Sequence, residues 1–276
     1  RQLFTGEDKR LLMTLCGQMA MALENARLYE IERKMRKELE RQNEVKTEFL
    51  HSVAHELKTP LTAILSSSEI LGEEKNLAVE HRKRLVNNIH HSALSMDRRV
   101  SELLELARIQ TGNLVLKKEL IDIKEFLSNV ALQLQSIFQG KSQTLNLEIA
   151  DSLPKINADR NRLEQIVSNL LSNANKFSPV SSSIILRAKG NNRQVIVEVE
   201  DSAPAISKED KERIFEPYYR GEDSTKRERF PGLGLGLSIV KNLIELHQGK
   251  VWVESGAIKG NNFAFSLPAL DQKLRE

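Results

Sequence analysis

The sequence predicts an α+β chain in which a helical hairpin, dimerising into a four-helix bundle, precedes an α/β sandwich. Three observations carry this. From Phe49 to Ala107 apolar residues recur in steps of three and four. After Gly112 that period is lost, and β-type segments alternate with short helices. Within this second part "SIILRAK" and "RQVIVEVED" are alternating runs joined by "GNN", a hairpin signal. Hydrophobic residues make up 40% of the 276 positions, charged ones 29% and aromatic ones 5%. That balance favours long solvated helices over an aromatic β-sandwich or a base-stacking platform. A net charge of +3 gives no footprint for nucleic acid.

The elements follow in order. From Glu7 to about Gln42 the pattern is helical, with Leu11, Leu12, Leu15, Met19, Ala22, Leu23, Ala26 and Leu28 as its apolar stripe. Beyond Tyr29 the stripe thins to Ile31, Met35, Leu39, Val45 and Phe49 amid mixed charges, as in a helix paired over a narrow seam; a merely solvated helix is the plainer alternative. The hairpin's first helix carries Phe49, Val53, Leu57, Leu61, Ile64, Leu65 and Leu71, "GEEKN" turns, and the second carries Leu85, Ile89, Ala93, Met96, Val100, Leu103 and Ala107 before Gly112 closes it. Two helices alone bury too little, hence a bundle of two copies. The sandwich should hold a strand at "LVLKKELIDI", a helix from Lys124 to about Phe138, and strands "TLNLEI" and "KINAD". A helix from Arg160 to Asn175, capped by Asp159, leads into the antiparallel hairpin. The helix "SKEDKERIF", a glycine-rich loop, the helix "LSIVKNLIELH" and strands "KVWVES" and "NFAFSL" complete it.

A single cysteine, Cys16, rules out an internal disulfide framework and suits a reducing compartment. There is no apolar run of about eighteen residues and no signal-peptide pattern. The chain starts at Arg1 inside a helical pattern. The expectation is a cytoplasmic fragment of something longer, without membrane contact of its own, with an anchor upstream of Arg1 left open.

Three stretches carry chemistry. In "EFLHSVAHELKTPLTAIL", His51 and His55 have metal-ligand spacing, but a zinc peptidase needs its second histidine near where Thr59 stands. A packing histidine is the plain alternative. His55 lies between the apolar positions Val53 and Leu57, so it should face water, where an imidazole can attack phosphorus if its other nitrogen shares its proton. Glu56 is a candidate acceptor for that proton. Pro60 predicts a kink just past this site. In "RLEQIVSNLLSNANKFSP", Asn169 and Asn173 share a helical face with Lys176 beyond, a way to aim two amides and an ammonium at phosphate-bound magnesium; paired asparagines on a wet face are the alternative. In "FPGLGLGLSIV", Gly232, Gly234 and Gly236 permit amides to converge on phosphates at a helix N-terminus, and a loop closing on an apolar adenine pocket would explain the leucines between them.

Together these stretches resemble a known family. "FLHSVAHELKTPLTAI" is similar to the phosphoacceptor box of sensor histidine kinases, and "NLLSNANKF", "IFEPYYRG" and "GLGLGLSIVKNLIELHQGKVWVES" resemble, in order and spacing, their N box, F box and second glycine box. The resemblance spans roughly Glu48 to Leu267. It implies an ATP-binding sandwich of the Bergerat type behind the bundle. His55 would take the γ-phosphoryl group of ATP within a homodimer and pass it to an aspartate of a response regulator. By the same resemblance Asn169 and Asn173 serve Mg2+, Lys176 the phosphates, Phe177 the adenine face and Asp201 the adenine amino group. Gly232, Gly234, Leu235, Gly236 and Leu237 form the phosphate-side loop, and Thr59 positions water for dephosphorylating the partner. A lid from Tyr218 to Pro231 would bring Arg220, Lys226, Arg227 and Arg229 to phosphate, with Tyr218 and Tyr219 anchoring it. "FTGEDKRLLMTLCGQMAMALENARLYE" resembles the last helix of a GAF sensory domain, with a generic coiled-coil linker as the alternative. The implied layout is a GAF-like terminal helix over 1–30, a signalling linker over 31–47, a dimerisation and phosphotransfer domain over 48–111, and a catalytic ATP-binding domain over 112–276.

One box departs from the family. Where Asp-x-Gly-x-Gly is expected the chain reads "DSAPAI", with Ala203 and Ala205 in both glycine positions. If those positions need positive φ, each alanine costs roughly 1–2 kcal/mol. Together, about 2–4 kcal/mol would weaken a micromolar site to between tens of micromolar and about millimolar. A non-catalytic signalling hub with an attenuated pocket therefore stays open. An ATPase of the gyrase and chaperone type would place a water-activating glutamate at Asn169, and asparagine cannot act as that base.

Overall fold

The computed structural model describes residues 5–73, 77–191, 193–219, 233–256 and 260–270. The chain forms two units, Arg1–His51 and Ser52–Glu276. The first is helical from Gly6 and is capped by Thr5, whose hydroxyl donates to Asp8 Oδ2 at 2.6 Å and accepts the Asp8 N–H at 3.3 Å. Its apolar residues, Leu11, Leu15, Met19 and Leu28 among them, are exposed. Helix α1 (Gly6–Glu73) includes this stretch and the first arm of the hairpin.

In the second unit, α1 packs against α2 (Val79–Gln110), and Asn88 Nδ2 of α2 donates to the buried Ser67 Oγ at 3.0 Å. Pro60 lies inside α1 and is buried. It removes the N–H that would bond the Glu56 carbonyl, yet the helix runs through it, because one missing bond in a long packed helix is tolerated. Residues 74–76 of the expected turn lie outside the described residues. Gly112 ends α2 at φ +68, with the Asn113 N–H returning to the Arg108 carbonyl at 3.0 Å.

The sandwich follows as β1 (Glu119–Ile121), α3 (Ile123–Gln139), β2 (Thr144–Ile149), β3 (Ile156–Ala158), α4 (Arg160–Phe177), β4 (Ser183–Gly190), β5 (Gln194–Glu200), α5 (Lys208–Arg213), α6 (Gly236–Leu246), β6 (Lys250–Ser255) and β7 (Asn261–Pro268). Five strands form a sheet in the order β2-β4-β5-β7-β6, and β1 pairs with β3 in a second, small one. The strand expected over 114–123 is thus only three residues long. One pairing differs from the antiparallel others: β2 runs parallel to β4. The chain between them passes through β3 and α4, and a helical crossover returns a strand in the same direction.

Alternation decides which face is covered. Ile184, Leu186 and Ala188, Val195, Val197 and Val199, and Phe263, Phe265 and Leu267 are all buried. Helices α3, α4 and α6 pack as a layer with these strands. The opposite face carries ion pairs instead: Arg187 bonds Glu148 and Glu200, and Lys189 Nζ meets Glu198 at 2.8 Å. At the end of α6 a Cβ on Gly249 would stand 2.1 Å from the Ser266 carbonyl oxygen, so only glycine lets the chain turn into β6 that close to β7.

Candidate active site

Neighbouring residues on a helix point about 100° apart, and α1 uses this to separate two charges of the phosphoacceptor stretch. His55 is exposed, while Glu56 is buried and paired with Arg99 of α2. The carboxylate considered as proton acceptor for His55 is therefore engaged across the hairpin in this arrangement. Thr59, also exposed, donates its hydroxyl to the His55 carbonyl at 3.1 Å. Around Pro60, then, one carbonyl has lost its helical donor and another has gained a side-chain one.

Helix α4 is amphipathic and has apolar positions Leu163, Ile166, Val167, Leu170, Leu171 and Ala174 in the core. The remaining face carries Asn169, Asn173 and Lys176, all half-buried, and ends in Phe177, which is 38% exposed. The Lys176 ammonium stands 5.1 Å from the centre of the Phe177 ring. Asp159 caps the other end, its Oδ1 accepting the Arg162 N–H at 3.2 Å and its Oδ2 the Lys117 N–H at 2.8 Å. Burial draws the Asp159 carboxyl upward, but these N–H groups together hold it below the usual range. The Asp159 N–H donates to Nε2 of the buried His247 at 3.0 Å, so the ring proton sits on Nδ1, facing the Leu243 carbonyl at 2.7 Å. Burial lowers the His247 pKa, which keeps Nε2 an acceptor.

Asp201 follows β5 and is 4% exposed. Its Oδ1 accepts the N–H of Ala203 at 3.0 Å, the N–H of Asn261 at 3.0 Å and Asn261 Nδ2 at 3.2 Å. Burial nonetheless raises its pKa above the ordinary value. The next residue ties this segment to α4: the Ser202 N–H donates to Ser178 Oγ, at the helix C-cap, at 3.2 Å. Asn261 has no marker in the sequence beyond opening a strand, and its role emerges only from the sheet register.

Neither alanine of "DSAPAI" has a positive φ; among the described residues the non-glycine positions that do are Ser142, Ser181, Tyr218 and Gln248. The conformational penalty considered above therefore does not arise. Pro204 accounts for this at Ala203, since a residue before proline is confined to extended backbone.

Leu233 and Leu235 of the glycine loop are buried, at 3% and 0% exposure, and anchor the loop in the protein core. Gly234 stands at φ +68. Helix α6 starts at Gly236 with no side-chain cap from Leu235, leaving its first N–H groups open to a ligand. A Cβ on Gly236 would lie 3.9 Å from Asn169 Oδ1, which places this N-terminus directly beside the asparagine face of α4. Leu237, in the first turn of α6, is half-buried. Arg220, Gly232 and the expected lid cations Lys226, Arg227 and Arg229 lie outside the described residues. Tyr219 donates its hydroxyl to Asp210 Oδ1 and lies under the Arg213 guanidinium at 4.3 Å.

The sandwich meets the hairpin through the same α4. Arg162 and Gln165 both bond Glu105 of α2, and Gln110 Nε2 donates to the Tyr218 hydroxyl at 3.3 Å. Glu102, one turn earlier on α2, is raised in pKa by burial, a shift opposed by the charges of Arg98, Arg99 and Lys176. Nothing in the sequence pattern marked Arg99, Glu105 or Arg162 as partners, because each sits at an ordinary charged helix position.

Residues 158–271 match the family described as histidine kinase-, DNA gyrase B- and HSP90-like ATPases, and residues 45–112 match the His Kinase A (phospho-acceptor) domain. Sensor protein KdpD of Escherichia coli (strain K12) is 31% identical over 268 residues, covering 97% of this chain and 29% of that protein. The chain thus spans under a third of that relative. Among solved structures, histidine kinase ThkA in complex with response regulator protein TrrA matches with a TM-score of 0.62 and 28% identity, over 89% of this chain and 67% of that one. Full-length ShkA in complex with AMPPNP matches with a TM-score of 0.61 and 28% identity, over 80% and 46% of the two chains. The chain thus carries a hairpin that matches the His Kinase A phospho-acceptor domain, followed by a sandwich that matches the histidine kinase-, DNA gyrase B- and HSP90-like ATPases.

Proposed function

We propose that this chain autophosphorylates His55 from ATP and passes the phosphoryl group to an aspartate of a response regulator. The observation that carries the reading is the convergence of the asparagine face of α4 on the uncapped start of α6, with the buried acceptor Asp201 preceding Ser202, which bonds the C-cap of α4. Anionic phosphate suits open N–H groups at a helix N-terminus, Lys176 supplies a point charge, Phe177 offers a ring face to the base, and Asp201 can accept from an exocyclic amino group. Asn169 and Asn173 fit Mg2+, which takes few protein ligands and keeps waters and phosphates; bound there, it would neutralise phosphate charge.

In the transfer, a ring nitrogen of His55 forms the N–P bond as the bond from the γ-phosphorus to the bridging oxygen breaks and ADP leaves. The other ring proton passes to a base. Glu56 can serve only after leaving Arg99. Thr59, one turn from His55, would hold water for dephosphorylating the response regulator. The hairpin leaves Leu61, Leu65, Leu94 and Leu104 exposed, which supports a second copy closing the bundle. In the proposed layout the stretch 1–30 ends a GAF-like domain and 31–47 links it to the hairpin. The direct test is incubation with γ-labelled ATP and magnesium. Acid-labile, alkali-stable label on the chain is expected, and a chain that stays unlabelled while binding ATP would favour the hub instead.

The alanines yield a further expectation. Because both already occupy ordinary backbone, an Ala203→Gly, Ala205→Gly double variant should gain no conformational relief. ATP affinity should change by less than about threefold, and thermal stability should fall slightly, by about 0.5–1 kcal/mol per glycine. Isothermal titration checks this; a gain beyond about tenfold would mean that the methyl groups crowd the nucleotide.

A further inference from the structure

The last turn of α4 carries Asn173, Lys176 and Phe177, and the chain that holds this turn in place comes from elsewhere. A helix ends with carbonyls that lack intrahelical donors. Here the Ala174 carbonyl is taken by the Ser178 N–H at 3.0 Å, but the next ones are taken by two side chains from the connection between α3 and β2. Lys141 Nζ donates to the Asn175 carbonyl at 2.7 Å and to the Lys176 carbonyl at 3.1 Å. Gln143 Nε2 reaches the carbonyls of Asn175 at 3.3 Å, Ser178 at 3.1 Å and Pro179 at 2.9 Å, while its Oε1 accepts from Asn175 Nδ2 at 2.6 Å. Gln143 is only 4% exposed, so water does not stand in for it. Ser142, between the two, takes up φ 53, an unfavourable conformation for a residue with a side chain. The Lys141 carbonyl also accepts the Ser181 N–H at 3.2 Å, fixing the segment that leaves α4.

We infer that Lys141 and Gln143 are positioning residues for the nucleotide, setting where Lys176 and Phe177 stand without touching ATP themselves. The inference rests on the ATP reading of α4 given above. An ammonium at a helix C-terminus opposes the fraying that the negative end of the helix dipole invites. Asn169, two turns upstream, does not depend on this clamp, whereas Lys176 and Phe177, in the turn it closes, do. Losing the clamp should therefore loosen the grip on base and phosphate more than it slows the chemistry of bound ATP.

The test measures binding of a fluorescent ATP analogue, KM for ATP, kcat of autophosphorylation and the thermal midpoint, well below that midpoint, for the full chain and for Lys141→Met, Lys141→Arg and Gln143→Leu. Lys141→Met is half-buried and removes no core packing, so it remains informative if Gln143→Leu fails to fold. Expected are a Kd and KM raised about tenfold in Lys141→Met, the equivalent of one lost charge-assisted hydrogen bond, with kcat at saturating ATP within about threefold. Lys141→Arg, which keeps the donor and the charge, should restore binding. A lowered midpoint with unchanged Kd and KM in Lys141→Met would overturn the inference while leaving the ATP site standing. A parent chain that binds no analogue would overturn both.

Discussion

Replacing His55 by alanine is expected to reduce acid-labile label from γ-labelled ATP to background, a loss of at least about 100-fold, because a methyl group offers no nucleophile. The expectation is sharp because the side chain is exposed and the change leaves the hairpin core untouched. Substitutions at such positions usually alter stability by no more than about 0.5 kcal/mol, so loss of fold would not account for loss of label. ATP binding by the sandwich should persist at the parent level. Circular dichroism, analogue binding and label, measured on one preparation, separate the roles: intact fold and binding without label places the acceptor at His55. Label that survives the substitution would move the acceptor to another residue, and His51, one turn earlier on α1, would be the first to replace.

Asp201→Asn should have the second large effect, by a different route. The Asp201 Oδ1 accepts three N–H donors in a buried place, and an asparagine carbonyl can accept the same three. Its other atom becomes an amide donor where a carboxylate oxygen stood, which is incompatible with an amino group on the base. Affinity for ATP should fall about 100-fold or more, as expected when a hydrogen bond to a charged acceptor is lost and two donors are left facing each other. Folding should not suffer. Burial raises the Asp201 pKa, so the stability this group contributes is full below its ordinary value of 3.8 and is lost as pH rises through the higher folded value. At neutral pH the charged form is thus a cost to the native state, and the uncharged asparagine removes it. Thermal midpoint at pH 7 should be equal or higher, with titration calorimetry showing the loss of binding. A variant that binds ATP normally would remove Asp201 from base recognition.

How far the sequence led depends on whether a residue's role is local. Helix α4 was legible because Asp159 precedes an amphipathic run and does cap it, accepting the Arg162 N–H, whereas α3 was legible from its run alone and its cap Asp122, which accepts the Glu125 N–H, had been read into the preceding strand. The hairpin of β4 and β5 was legible because alternation and a turn signal coincide. Three features were not. The parallel placement of β2 follows from a crossover whose direction no local pattern encodes. The burial of Leu233 and Leu235 depends on core packing around a loop whose leucines the sequence offers equally to a base pocket. The partnership of Glu56 with Arg99 joins residues 43 positions apart, and the sequence offers Glu56 to its neighbour His55 while Arg99 reads as an ordinary surface charge. For Ala203 of "DSAPAI", the following Pro204 held the answer, and the family pattern drew attention away from it.

Helix α4 uses a single side for two purposes. Arg162 and Gln165 in its first turns hold Glu105 of the hairpin, and Asn169, on the same side, stands beside the start of α6, where the proposed nucleotide site lies. Two occupants that share one rigid element are thermodynamically linked, and linkage is symmetric. If ATP weakens the hold on Glu105 by some factor, the hold on Glu105 weakens ATP by the same factor. A Glu105→Gln chain should then bind ATP analogue more tightly than the parent, and equal affinity would show the two halves of the helix to be independent. Resting affinity for ATP would, on this account, be a property of the hairpin as much as of the pocket, so that a signal reaching the helices could set it without touching a single residue that contacts the nucleotide.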